Sequence, residues 1–137
     1  MLSNRVKYGI HALLYLYEKR SDSPISAKKI AEAKEIPFKF LENILQELKQ
    51  SGVITSQRGP AGGYRFLKDP NEVSVASIMR IIDGPIALTT CTSENFYEKC
   101  HECVSEKNCE IRHLFRKLRE QMLPILEMSI VEMADFK

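Results

Sequence analysis

All four cysteines of this chain fall within the nineteen residues from Cys91 to Cys109, CTSENFYEKCHECVSEKNC, and the other 118 positions have none. Their spacing is C-x8-C-x2-C-x5-C. Cys100 and Cys103 form a C-x2-C pair, a common bite for zinc or for an iron–sulfur cluster, and soft thiolate suits both metals. The same sulfurs could instead form disulfides, act as a metal-free redox trigger, or line a loop with no chemistry. His101, inside the pair, reads as solvent-facing, and His113 as structural. His11, far upstream, reads as a partly buried packing residue.

Composition decides part of this. A chain of 137 residues, 44% hydrophobic and 28% charged, has the size and make-up of one globular domain that buries a modest core without covalent staples. No apolar run approaches the ~20 residues that cross a bilayer. The N-terminal MLSNRVKYGIHALLYLYEKR is interrupted by Lys7 and His11 and lacks a small-residue cleavage site, so it does not read as a signal peptide. The expectation is a cytoplasmic protein without membrane association. There, clustered cysteines favour metal or redox chemistry over structural disulfides. No phosphate-binding glycine loop, zinc-protease signature or nucleophile–base constellation is present, which argues against an enzyme.

Charge is asymmetric along the chain. Residues 1–70 carry 12 Lys/Arg against 7 Asp/Glu, a balance of +5, and residues 71–137 carry 8 against 11, a balance of −3. A basic first half suits an anionic partner such as nucleic acid, although a solvated surface produces the same count.

The elements around the cysteines follow from periodicity. Val6, Ile10, Leu13, Leu14 and Tyr17 mark one face of a first helix, which Asp22, Ser23 and Pro24 end. Ser26 is placed to cap a short second helix near Ala27 to Lys34, with Ile25 and Ile30 as a hydrophobic staple. Pro37 opens a third helix that puts Phe38, Leu41, Leu45 and Leu48 on one face and ends near Gly52. Val53 to Ser56 and Tyr64 to Leu67 then read as a hairpin around QRGPAGG, closed by Asp69-Pro70-Asn71. Ser74 to Asp83 is a helix capped by Ser74 that buries Ile78, Ile81 and Ile82 and stops at Gly84-Pro85. From Cys109 onward, Leu114, Leu118, Met122, Ile125 and Ser129 or Ile130 mark a long amphipathic helix of ~40 Å, with a kink at Pro124. An apolar stripe of that length is most simply covered by a second copy of the chain.

The fold class expected is mainly α with a small β-hairpin: a winged helix-turn-helix over residues 1–70, then dimerisation helices over 71–137 with a cysteine-rich loop at 84–109. The third helix would lie in the major groove of DNA. Its outward residues Lys39, Phe40, Glu42, Asn43 and Gln46 would face base edges: Asn43 pairs well with adenine, Glu42 accepts from cytosine, and Phe40 can touch a thymine methyl. The bland alternative is that Phe40 supplements the core while Lys39 and Glu42 are surface charges. In the wing, Gly59, Gly62 and Gly63 permit a tight tip, and Arg58 could enter a narrow minor groove. Arg5, Lys7, Lys28, Lys29 and Arg65 are candidates for phosphate contacts, with plain solvation as the alternative for each.

Four stretches carry a family resemblance: KYGIHALLYL, IAEAKEIPFKFLENILQELKQSGVI, RGPAGGYRF and VSVASIMRIIDGP. With a cysteine loop before a long last helix, the chain resembles the Rrf2 family of bacterial winged-helix transcription regulators over essentially its whole length. The RGP-x-GGY wing is the most specific piece. The family includes an iron–sulfur cluster biogenesis regulator, a nitric-oxide-sensing repressor and a cysteine-metabolism repressor. The resemblance implies a homodimer joined through the long helix and bound to a partly palindromic double-stranded DNA operator. It also puts Lys39, Glu42, Asn43 and Arg58 at positions that meet DNA in relatives.

For the cysteines, the resemblance implies a sensor. Sensing relatives usually have three cysteines before the long helix, the last two five residues apart, which Cys103 and Cys109 match with Cys91 as the first. Here the first gap is longer and Cys100 is extra. The fourth ligand would be Cys100, or else His101, His113 or an acidic residue. An iron–sulfur cluster, 2Fe–2S or 4Fe–4S, is the leading reading for Cys91, Cys100, Cys103 and Cys109. Zinc, a thiol switch and an idle loop stay open.

Overall fold

The computed structural model describes residues 2–21 and 23–136. Asp22, part of the expected break after the first helix, lies outside the described residues. Helices α1 (Asn4–Glu18), α2 (Ala27–Lys34) and α3 (Phe38–Gln50) precede the hairpin strands β1 (Ile54–Gln57) and β2 (Gly63–Phe66). Then come α4 (Val75–Ile82), α5 (Glu110–Leu126) and α6 (Ile130–Ala134). Short 3-10 turns sit at Pro70–Glu72 and Thr90–Thr92.

The caps expected of the sequence form. Ser26 Oγ accepts from Lys29 N at 3.2 Å, and Ser74 Oγ from Ser77 N at 3.1 Å, each satisfying an orphan N–H of a first turn. Val6, Leu13, Ile30, Leu41, Ile44, Leu45 and Leu48 are fully buried in one core that also holds Ile25, Val73, Ile78, Ile82 and Ile130. Against expectation, Ile81 is only half-buried, and His11 is exposed. Phe38 departs further, with 45% of its surface exposed. At ~100° per residue it lies at the margin of the stripe centred on Leu41 and Leu48, where the tertiary packing leaves it uncovered.

The hairpin pairs antiparallel with Ile54 opposite Phe66 and Gln57 opposite Gly63, one residue later in β1 and one earlier in β2 than the periodicity indicates. β2 also pairs with the segment before α2. Ile25 N donates to the Tyr64 carbonyl at 2.9 Å, and Tyr64 N to the Ile25 carbonyl at 2.7 Å. A Cβ on Gly63 would lie 2.3–2.6 Å from Ile25 C, Ile25 O and Ser26 N, so only glycine admits this approach.

The expected ~40 Å terminal helix is two helices. α5 spans 17 residues, about 25 Å, and ends at Leu126, two residues after Pro124. Ser129 does not continue its stripe. It caps α6 in a reciprocal box with Glu132, where Ser129 Oγ accepts from Glu132 N and Glu132 Oε2 from Ser129 N. The chain turns there because Ile130 N donates to the Val73 carbonyl (2.9 Å) and Val75 N to the Met128 carbonyl (3.0 Å), which carries Ile130 into the core. No helix among the described residues is long and apolar enough to cross a membrane.

Candidate functional site

α3 presents Lys39, Glu42, Asn43 and Gln46 opposite its buried stripe, with exposed Phe38 and Phe40 on the two flanks. Phe40 therefore supplements no core. Beyond α3, Arg58 is exposed at the hairpin tip, where Gly62 N closes a turn on the Gly59 carbonyl at 2.9 Å. A Cβ on Gly62 would lie 2.2 Å from the Gln57 carbonyl oxygen, so this glycine shapes the tip. Burial and then the Glu42 carboxylate push the Tyr64 phenol above its ordinary value, which places the outward residue of α3 within the field of the wing root.

Lys7, Lys28, Lys29 and Arg65 are exposed. Arg5 is not among such cations. Its guanidinium donates to the Glu47 carboxylate and to the Ile82 carbonyl, the latter at 3.4 Å, and so fastens α1 to α3 and α4. A group already bonded this way is a fastener rather than a phosphate contact.

The second region is a cavity of about 820 Å³ at the N-terminus of α5, and Cys91, Cys100, Cys103 and Cys109 all line it. Cys109 is the N-cap of α5, its sulfur accepting from Arg112 N at 3.5 Å. Cys100 and Cys103 share a turn closed by Cys103 N donating to the Cys100 carbonyl at 3.1 Å. Cys91 lies in the 3-10 turn after α4, where its carbonyl accepts from Arg112 Nε at 3.4 Å. Thr89, Asn108 and Arg112 also line the space, with the Glu102 carboxylate opposing the Arg112 charge. Helix N–H groups and a guanidinium at the rim favour an anionic occupant. Among the described residues, no three His, Cys, Asp or Glu donors already converge on one point.

Of the histidines, His113 Nε2 donates to the Lys107 carbonyl at 2.7 Å, which fits a structural role, and His101 is exposed on the Cys100–Cys103 turn.

The Rrf2 family, described as iron-dependent transcriptional regulators, matches residues 2–135. A protein of Rhodobacter capsulatus described as an rrf2-like HTH-type transcriptional regulator is 39% identical over 135 residues, covering 96% of this chain and 90% of its own length. The chain belongs to the Rrf2 family. IscR of Yersinia pseudotuberculosis, an HTH-type transcriptional regulator, is 26% identical over 125 residues, covering 91% of this chain and 73% of its own. The solved structure of CymR (YrzC), the global cysteine regulator of B. subtilis, matches the fold with a TM-score of 0.80 at 23% identity, covering 100% of this chain and 98% of that one. These relatives are transcriptional regulators, and this Rrf2 chain has a regulator's role and not an enzyme's.

In this Rrf2 chain, sequence reasoning passed over two arginines. Arg112 holds Cys91, and Arg119, one heptad later on the same face of α5, is buried at 8% exposure and donates to Glu94 at 3.0 Å. That bond, with the arginine charge and Arg80 farther off, holds the Glu94 carboxyl below its ordinary value. The available signal was spacing: Arg112, Phe115, Arg119, Leu123 and Leu126 recur on one helical face, and none of them is exposed.

Proposed function

We propose that this regulator binds a partly palindromic DNA operator as a cytoplasmic homodimer, and that an iron–sulfur cluster held by Cys91, Cys100, Cys103 and Cys109 sets its operator affinity. The observation that carries the reading is that four thiols spread over nineteen residues line a single cavity. The donor set fits a cluster. It offers four soft sulfurs beside a helix N-terminus and a guanidinium, which suit the net negative charge of a thiolate-ligated centre. Bound there, such a cluster supplies reactivity towards oxidants, nitric oxide and iron supply. Among the described residues no three donors converge on one point, so holding such a group would draw the loop closed, and that closure would be the change the head senses.

In this reading Lys39, Phe40, Glu42 and Asn43 meet base edges from the major groove, and Arg58 enters the neighbouring minor groove. Lys28 and Arg65 contact phosphates, while Gly62 and Gly63 hold the wing in place. Residues 1–70 read DNA, and residues 71–137 dimerise and sense through loop 84–109. The division is one of task, since α4 and Ile130 share the core of the first part. Dimerisation is supported by the exposed seam Ile111, Leu114, Leu118 and Ile125, whose 3-4 spacing, completed by Gln121, is that of a coiled-coil stripe.

Anaerobic purification with iron, sulfide and zinc quantitation and visible spectroscopy tests the cofactor. The expected result is iron and sulfide with thiolate charge-transfer absorption, and operator binding that differs between loaded and stripped protein with a steep salt dependence. Protein with neither iron nor sulfide refutes the cluster. A second reading, a zinc site or metal-free thiol switch, is favoured by the turn that brings Cys100 and Cys103 together. Stoichiometric zinc, or operator binding that responds to thiol oxidants alone, identifies it.

A further inference from the structure

We infer that Arg119 is a positioning residue that couples the cysteine loop to the DNA-reading head through an ionic joint with Glu94. The inference rests on the cluster reading only for what changes the state of the loop. Arg119 is the one charged side chain among the buried described residues, and its Nε has no hydrogen-bond partner there. A buried guanidinium with one carboxylate partner contributes little net stability compared with an apolar side chain of similar size. What it does fix is geometry, because it ties α5 to the chain segment that carries Glu94.

The joint lies where three segments meet. Arg119 and Leu123 of α5, Arg80 of α4, and Pro85, Ile86 and Glu94 of the intervening chain line one narrow crevice. Arg80 also reaches Glu127 at the end of α5, at 3.4 Å. One heptad towards the N-terminus of α5, Arg112 holds the carbonyl of Cys91, three residues before Glu94. Two arginines on one face of α5 thus grip the same short segment, one at the first thiol residue of the cavity and one three residues beyond it. When Cys91 is drawn towards a bound group, the displacement is carried back along the chain to Ile86 and Pro85, which Asp83 and Gly84 join to the end of α4. α4 in turn packs on α3 and α1.

The test uses the full chain with Glu94→Gln, which keeps shape at an exposed position, and Arg119→Lys, which keeps charge but not the planar fork. Amide exchange of cluster-free protein is expected to accelerate over residues 85–96 by about tenfold or more in both variants, with α1 to α3 unchanged. The ratio of affinities of loaded and stripped protein, for a duplex selected from a random-sequence pool, is expected to fall towards one while iron per chain stays at the wild-type value. Unchanged exchange over residues 85–96, or a wild-type affinity ratio in both variants, overturns the inference. Loss of iron in Glu94→Gln overturns it too, since Glu94 would then act within the thiol site. A wild-type protein with no iron and no ratio refutes the cluster reading instead, and the exchange measurement still decides the joint.

Discussion

Replacing Gly63 with alanine isolates what fastens the wing to the head. The added Cβ would sit 2.3 Å from Ile25 C, 2.4 Å from Ile25 O and 2.6 Å from Ser26 N, all backbone atoms that cannot rotate away. Gly63 also has φ +155°, a conformation that side-chain-bearing residues rarely adopt, for about 1–3 kcal/mol. Relief requires parting β2 from the α1–α2 connection, which breaks the two Ile25–Tyr64 hydrogen bonds, for about 1–3 kcal/mol more. The sum is about 2–6 kcal/mol, the lower part being reached if the wing swings free as a unit. Gly59→Ala is the control, because Gly59 has φ +109° but open space around its Cβ and so carries backbone strain alone. Urea unfolding of the two variants gives the difference, and amide exchange at Ile25 and Tyr64 locates it. The expected outcome is a larger loss for Gly63→Ala, with both amides deprotected and operator affinity reduced. Equal losses in the two variants with Ile25 and Tyr64 still protected would falsify the fastening.

Alanine at each cysteine reads out the ligand set: all four variants, Cys100→Ala included, are expected to lose iron or shift the visible bands. A full cluster with the wild-type spectrum in Cys100→Ala, lost in Cys91→Ala, would establish three cysteines plus a different ligand. Leu114→Glu removes an exposed apolar side chain of the α5 seam from both copies of a dimer, about 3–6 kcal/mol at 1.5–3 kcal/mol each, so the dimer dissociation constant rises by about 10²-fold or more. Sedimentation measures it, and a variant as dimeric as wild type places the interface elsewhere. The Tyr97 phenol is pushed above its ordinary value, first by its hydrogen bond to Glu106 and then by burial. A raised value means the contact contributes fully below the unfolded phenol's value near 10 and is lost as pH rises through the folded one. Tyrosinate absorbance in wild type and Glu106→Gln checks this, with an unchanged titration counting against the bond.

The head and α4 were legible because their signals are local. Ser26 and Ser74 stand at the point where an N–H needs an acceptor, and Leu41, Leu45 and Leu48 recur at helical spacing in a stretch with no competing pattern. The end of α5 was missed although its marker is present. Ser129 and Glu132 form the S-x-x-E of a capping box, but Ile125 and Ile130 kept enough periodicity to mask it. What decides the break is the pairing of Met128 and Ile130 with Val75 and Val73, contacts more than fifty residues apart that no local pattern announces. The outward face of α3 was legible in the same way as the helix itself, since Lys39, Glu42, Asn43 and Gln46 lie opposite its buried stripe. Arg5 was not, because the partners that engage its charge, Glu47 and the Ile82 carbonyl, come from distant elements.

The cysteine loop is the part of this fold with the weakest claim on the core, and that follows from how it is held. Between α4 and α5 the one regular element is the 3-10 turn Thr90–Thr92, so order there depends on side-chain clamps. Tyr97 bonds Glu106 across the Cys100–Cys103 turn, Arg112 and Arg119 hold Cys91 and Glu94, and His113 holds Lys107 next to Cys109. Each clamp lies within a few residues of a thiol. α5, by contrast, is anchored at its far end, where Arg80 meets Glu127 and Ile130 enters the core. A helix fixed at its C-terminus and gripped at its N-terminus by replaceable polar contacts is expected to yield first where the thiols are. In a dimer sealed along Ile111, Leu114, Leu118 and Ile125, that same end carries the first turns of the seam. On the proposed reading, a change of ligation at Cys109 would therefore act on the dimer contact and on the loop leading to α4 together, through one helix with two working faces.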